Sequence, residues 1–257
     1  MLAIENIKKH YGNKKERREI LHDINLSISD HEFVCLLGPS GCGKSTLLRL
    51  MAGLESASEG SILLNGQAVK EPSRECAFVF QDYALFPWKT VLENVEFGMA
   101  ANNMYDKRKR RDKAMEYLAM VHLKGVENSY IHQLSGGMKQ RTAIARSLAL
   151  EPKLCFMDEP FGALDNFTRM ELQDLLRSMY KEQHMSIVFV THDIDEAIYL
   201  GDRVVIMDAN PGRINTVMTL DKAATLERTG ENFKSYREKI FNAFHLICQN
   251  NKIEYYI

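Results

Sequence analysis

The chain has 257 residues, 45% hydrophobic and 26% charged, with a formal net charge of −1. That suits one large α/β domain, or a domain with an inserted subdomain. A balance so near zero excludes a global field aimed at nucleic acid or an anionic membrane. The five cysteines (Cys35, Cys42, Cys76, Cys155, Cys248) are scattered, odd in number and without a C-x-x-C pair. This favours free thiols in a reducing cytosol over a disulfide frame or a zinc site. The stretch Met1–Asn6 lacks the charged-then-apolar pattern of a signal peptide, and no apolar run approaches ~18 residues. The expectation is a soluble chain whose membrane role, if any, comes through a partner.

In chain order, residues 2–8 alternate weakly as a first strand, and Tyr11-Gly12 leads into a charged run, Asn13 to Glu19, read as a solvated hairpin loop. From Asp23 the apolar residues Ile24, Leu26 and Ile28 alternate as in a half-buried strand. Phe33 to Leu37 is a continuous apolar strand, and the good helix formers Leu47 to Ala52 are closed by Gly53. Residues 60–66 read as a strand ending in an Asn-Gly turn. Residues 76–80 form a buried strand running into Gln81. From there to about 150 the texture is helical, over 91–99, 107–123 and 137–150. The charged face of residues 106–113 is read as solvated, with Ala114, Leu118 and Val121 behind it. Strands return at 154–157, 186–190 and 204–207, with helices at about 167–182 and 193–200. Such alternation implies a mainly parallel, covered sheet. The signal fades from about 216 until Phe233, Tyr236, Ile240, Phe244 and Ile247 mark an amphipathic helix docked on the core.

Three stretches carry chemistry. Gly38-Pro39-Ser40-Gly41-Cys42-Gly43-Lys44-Ser45-Thr46 fits G-x-x-x-x-G-K-[ST], with a strand before it and a helix after. Its glycines let backbone N–H groups wrap a phosphate, and the helix N-terminus adds its positive end. Lys44 is placed to reach the β/γ-phosphates and the Ser45 hydroxyl to sit on Mg²⁺. Alkylation of Cys42, inside this loop, is expected to block nucleotide by bulk alone. Asp158 and Glu159 close a buried strand at its C-terminal end, where ligands of parallel sheets sit. Asp158 suits Mg²⁺, and Glu159 suits a general base for the attacking water. Ser135-Gly136-Gly137 opens a second helix as another anion cradle. Lying about 90 residues from the first, it is expected to meet that phosphate only from a second copy of the chain.

The set resembles the ATP-binding subunit of an ATP-binding-cassette transporter. The matching stretches are the Walker A at Gly38–Ser45, the Q-loop Gln81 and the signature at Leu134–Gln140. The Walker B ends at Asp158 with catalytic Glu159, the D-loop is Ala163-Leu164-Asp165 and the switch histidine is His192. Tyr11 matches the aromatic that stacks on adenine. The resemblance covers residues 1–215. It implies an α/β P-loop NTPase (RecA-like) core with an N-terminal β-subdomain and an inserted helical signature subdomain at about 82–150. Residues 216–257 are left as a helical extension. It also implies Mg-ATP at the interface of a head-to-tail dimer, homodimeric in expectation. Glu159, His192 and Gln81 are then the catalytic residues, and Ser45, Gln81 and Asp158 attend the metal. Tyr11, Gly38 to Thr46, Ser135, Gly136, Gly137 and Asp165 hold nucleotide.

The stretch Phe78 to Val95, Ser135 to Arg141 and Pro211-Gly212-Arg213-Ile214 are similar to the nitrate/sulfonate/taurine branch of bacterial importers. That branch implies permease subunits, an extracytoplasmic substrate-binding protein, no nucleic acid, and a place on the cytoplasmic face of the membrane. Leu85, Phe86, Pro87 and Trp88 become the surface that grips a permease coupling helix. Cargo is expected to be an aliphatic sulfonate or taurine, with nitrate and a thiamine-type pyrimidine precursor still open. The branch usually has a glycine after the proline before Phe78, then an Asp-Arg pair. Here Pro72-Ser73-Arg74-Glu75-Cys76 departs from it. Rival readings are a soluble cassette ATPase acting on nucleic acid or ribosomes, and a nucleotide-binding regulator without turnover. The presence of Glu159 and His192 opposes the regulator.

Overall fold

The computed structural model describes residues 1–12, 16–162, 164–223, 225 and 227–251, with side chains to residue 247. Residues 13–15 of the expected charged loop, Ala163 of the D-loop stretch, the Cys248 side chain and residues 252–257 of the extension lie outside the described residues. The elements run β1 (Leu2–Tyr11), β2 (Arg18–Ile28), β3 (Phe33–Leu37), α1 (Lys44–Met51), β4 (Glu59–Leu64), β5 (Gln67–Ala68), β6 (Cys76–Val79), α2 (Val91–Ala101), α3 (Lys107–Met120), α4 (Gly136–Leu148), β7 (Leu154–Asp158), α5 (Asn166–Gln183), β8 (Ser186–Thr191), α6 (Ile194–Leu200), β9 (Arg203–Asp208), β10 (Arg213–Thr219) and α7 (Glu231–Asn251). They fall into two compact units, Met1–Ser73 with Ser186–Ile257, and Arg74–Met185.

The first unit holds two kinds of sheet. Strands β2-β1-β4-β5 form an antiparallel sheet, in which Ile24, Leu26 and Ile28 of β2 are buried and Asp23, Asn25 and Ser27 face out. The Asn65-Gly66 turn joins β4 to β5 with both residues at positive φ (50° and 79°), as a two-residue hairpin requires. The other sheet runs β10-β9-β3-β8, with β3 parallel to both β8 and β9. All five residues of β3 and all six of β8 are buried. Strands covered on both faces carry unbroken apolar runs for this reason. Helix α7 packs against α6 and β9 and buries Phe233, Ile240, Phe244 and Ile247, each 3% exposed or less.

One strand of this unit escaped the sequence pattern. β10 pairs antiparallel with β9 and spans the position near 216 where the periodicity fades. None of its residues is fully buried, so an edge strand of this kind leaves little hydrophobic alternation to read.

The second unit pairs β6 and β7 in parallel, from Cys76 opposite Leu154 to Val79 opposite Met157. Helices α2, α3 and α4 pack on one another, and α4 packs on β6. Helix α2 starts with a capping box: Thr90 accepts from the Glu93 N–H and the Glu93 carboxylate accepts from the Thr90 N–H. Helix α3 stops at Met120, three residues before the sequence suggests. His122 turns left-handed (φ 57°), and the Leu123 N–H bonds back to the Leu118 carbonyl at 2.8 Å. That reversal folds Val121 and Leu123 into the core.

Candidate functional site

In the first unit, the loop Gly38–Gly43 passes from β3 to α1. Gly43 caps α1 in the left-handed region (φ 95°), and Gly41 also has positive φ (75°). A Cβ at Gly41 would meet nothing within 4 Å, whereas one at Gly43 would strike the Leu21 side chain at 2.6 Å. The loop is thus supported behind and open at Gly41, a cradle that fits a phosphate oxygen and that an ordinary residue would crowd. The Lys44 ammonium donates to the Gly38 and Pro39 carbonyls at 2.7 and 2.9 Å. Ser45 and Thr46 follow in the first turn of α1.

Cys42 lies inside this loop. Its thiol is fully buried and burial pushes it up from the usual range. Alkylation of the folded chain at this loop is therefore opposed by access and by the scarcity of thiolate.

Tyr11 ends β1 with 43% of its surface exposed. Its hydroxyl bonds the Glu55 carboxylate, with Thr46 beside it. The Lys9 ammonium lies 4.8 Å from the ring centroid. Burial first, then Glu55, raises the phenol above its ordinary range.

His192 is exposed immediately after β8. Its neighbours fix the turn: the Thr191 hydroxyl donates to buried Glu196 at 2.6 Å and accepts from the Asp193 N–H at 3.0 Å. Asp193 caps α6 by accepting from the Asp195 and Glu196 N–H groups.

In the second unit, Gln81 follows β6 and Glu159 follows β7, so the parallel pairing of those strands brings the two side chains together. The Gln81 amide donates to the Glu159 carboxylate at 3.2 Å. Glu159 has φ 45°, an uncommon conformation for a residue with a side chain. Asp158, the last residue of β7, is 3% exposed. Among the described residues no group of three or more His, Cys, Asp or Glu is arranged to hold a metal alone. Ser45 in the first unit, and Asp158 and Gln81 in the second, each carry a side-chain oxygen of the donor type that Mg²⁺ takes.

Ser135 caps α4, accepting from the Met138 N–H at 3.3 Å, and Asp165 caps α5, accepting from the Thr168 N–H at 3.0 Å. The two helix starts open on one cleft of about 500 Å³, lined by Ser135, Gly137, Arg141 and Asp165 and flanked by Lys124. Gly136 lies beside the Tyr83 hydroxyl, and a Cβ at Gly137 would meet Leu164 at 3.2 Å.

Several organising residues have no local motif. Arg146 of α4 donates to the Tyr83 and Ala84 carbonyls at 3.0 and 2.6 Å, tying α4 to the segment after Gln81. Fully buried Asn94 accepts from the Phe86 N–H and donates to the Phe86, Lys89 and Thr90 carbonyls. It shapes the turn that leaves Trp88 70% exposed, with its ring centroid 5.6 Å from that of Phe86. Both partners lie in sequence-distant or irregular backbone, where periodicity carries no signal.

The family model described as ABC transporter matches residues 21–162. An uncharacterised ABC transporter ATP-binding protein of Methanocaldococcus jannaschii is 46% identical over 94% of this chain and 90% of its own length. The aliphatic sulfonates import ATP-binding protein SsuB of Bacillus subtilis is 43% identical over 92% of this chain and 91% of its own. A dimeric ATP-binding cassette solved in a post-hydrolysis state with ADP and Pi superposes with a TM-score of 0.80 at 33% identity, over 86% of this chain and 99% of that one. The cradle, the carboxylate pair and these likenesses agree: the chain belongs to the ABC transporter family, as an ATP-binding, ATP-hydrolysing subunit with the P-loop NTPase fold.

Proposed function

We propose that this subunit energises import of a small organic anion of the aliphatic sulfonate class through a partner permease, with nitrate and a pyrimidine precursor as the lesser alternatives. The observation that carries the catalytic part is the Gln81–Glu159 hydrogen bond, which holds a carboxylate by an amide just beyond two parallel strand ends. The identity to SsuB proteins over almost the whole of both chains supports the cargo class.

In this reading Gly38 to Thr46 bind the nucleotide phosphates, and the Lys44 ammonium exchanges its two loop carbonyls for β/γ-oxygens. Bound Mg²⁺, attended by Ser45, Asp158 and Gln81, supplies charge neutralisation at those oxygens. Glu159 takes the proton of the attacking water, oriented by Gln81. His192, held by the Thr191–Glu196 turn, donates to the terminal phosphoryl oxygens. Tyr11 stacks on the adenine. Ser135, Gly136, Gly137 and Asp165 serve the nucleotide of a second copy. The dimeric cassette similar to this chain supports a two-copy arrangement. The cassette then extends through β10, with α7 a docked extension. Trp88 and Phe97, both exposed around Phe86, face the permease at the cytoplasmic side of the membrane. Among the described residues no helix is long and apolar enough to cross a membrane.

The test is ATPase activity of the purified permease complex in vesicles with an extracytoplasmic binding protein. Sulfonate-loaded binding protein should raise turnover well above that of the unloaded protein. A flat response to sulfonate with stimulation by nitrate or a pyrimidine overturns the cargo. Native co-purification with ribosomes and without a permease overturns transport altogether.

A further inference from the structure

We propose that Gly212, in the turn between β9 and β10, is a positioning residue for the phosphate loop. It has no side chain so that the peptide joining Cys42 to Gly43 can hold its orientation. This rests on the assignment of nucleotide phosphates to residues 38–46.

A Cβ placed on Gly212 would lie 2.0 Å from the Cys42 carbonyl oxygen, far inside contact distance. The glycine is required for space. Nor can the turn retreat. The Gly212 N–H donates to the Ile20 carbonyl at 2.8 Å and its carbonyl accepts from the His22 N–H at 2.9 Å, a bridge that seats it on Leu21 of β2. Leu21 is itself fully buried and is the residue a Cβ on Gly43 would strike. At the other end of the loop, a Cβ on Gly38 would lie 2.9 Å from the carbonyl of Met207 in β9. The loop is therefore backed by β2, by β9 and by the turn after β9.

The peptide unit is planar and trans, so the Cys42 carbonyl and the Gly43 N–H point in opposite directions. With the carbonyl directed at Gly212, the Gly43 N–H is directed away from that backing. Any side chain at 212 must push the carbonyl aside, and the rigid plane carries the N–H with it. One phosphate donor is then misaimed while α1, the adenine contact and the general base stay in place.

The experiment uses the full chain. In Gly212→Ala the affinity for Mg-ADP by calorimetry should fall at least tenfold and the KM for ATP rise similarly. The kcat should stay within about threefold, with the nucleotide-free variant still folded and its melting midpoint lowered by the strain of the added methyl. Affinity and KM within twofold of the parent, in a folded variant, overturn the proposal, as does loss of kcat with KM unchanged. As a second measurement on the parent chain, hydrogen exchange should show Mg-ADP protecting residues 209–214 together with 38–46. Protection of 38–46 alone overturns the proposal even if the variant does not fold. Lys44→Ala separates the two readings. If it leaves ADP affinity intact, the phosphate-loop assignment itself fails; if it abolishes binding while Gly212→Ala does not, only the role of Gly212 fails.

Discussion

Replacing Asn94 by Ala should disorder the turn that presents Trp88 while leaving the nucleotide chemistry in place. Asn94 is 0% exposed, and its amide accepts from the Phe86 N–H at 2.8 Å while donating to three carbonyls at 2.9 to 3.3 Å. Two or three effective bonds at about 1 kcal/mol each, plus a Phe86 N–H left without its acceptor, give a loss of about 3 kcal/mol. For a chain of this size that corresponds to a fall in melting midpoint of about 6–12 °C. Because the chain comprises two compact units, the midpoint should be read with a local probe beside it. Trp88 is the only tryptophan and sits in the affected turn, so its fluorescence reports the turn alone. Urea titration followed by circular dichroism gives the stability change; acrylamide quenching of Trp88 gives the disorder. Basal ATPase should stay within about twofold, and stimulation by a permease should be lost. A stability change under about 0.5 kcal/mol with unchanged Trp88 quenching would refute the role given to Asn94.

Glu159→Gln should bind ATP with near-parental affinity, slow hydrolysis on the order of 10²- to 10⁴-fold and accumulate an ATP-bound dimer on size exclusion; turnover within a few-fold of the parent removes Glu159 from the base role. Treatment of the folded chain with N-ethylmaleimide should leave the Cys42 peptide unmodified by mass spectrometry, because the thiol is fully buried and held protonated by that burial. Rapid labelling would mean that the loop opens. Thr90→Ala should cost about 1 kcal/mol through the lost helix cap, read as a lower urea midpoint at constant slope. Asp165 is held below the ordinary carboxylate range, chiefly by the Thr168 N–H. Its capping contribution is present above the unfolded-state value of about 3.9 and is lost as pH falls through the depressed native value. Asp165→Asn should flatten that part of an acid titration of stability, and an unchanged acid limb would contradict it.

Contiguous features were legible in the sequence. The phosphate loop sits whole within nine residues between an apolar strand and a helix, and burial of Ile24, Leu26 and Ile28 in β2 follows its alternation. The acids Asp158 and Glu159 at the end of β7, the helix cap at Ser135 and the amphipathic face of α7 were visible for the same reason: each is a local pattern with a period or a fixed spacing. Tertiary structure decided what depends on distant backbone. It set β10 as an edge strand with no buried stripe, and it reversed the chain at His122 where the helical spacing continues. It buried the Cys42 thiol inside the loop. It also brought Asn94, Arg146 and Gly212 against the distant carbonyls and N–H groups they meet. Sequence periodicity reports which face of an element leaves water. A hydrogen bond from a side chain to irregular backbone, or the absence of a side chain where another loop passes, leaves no period, and only the folded chain brings those partners together.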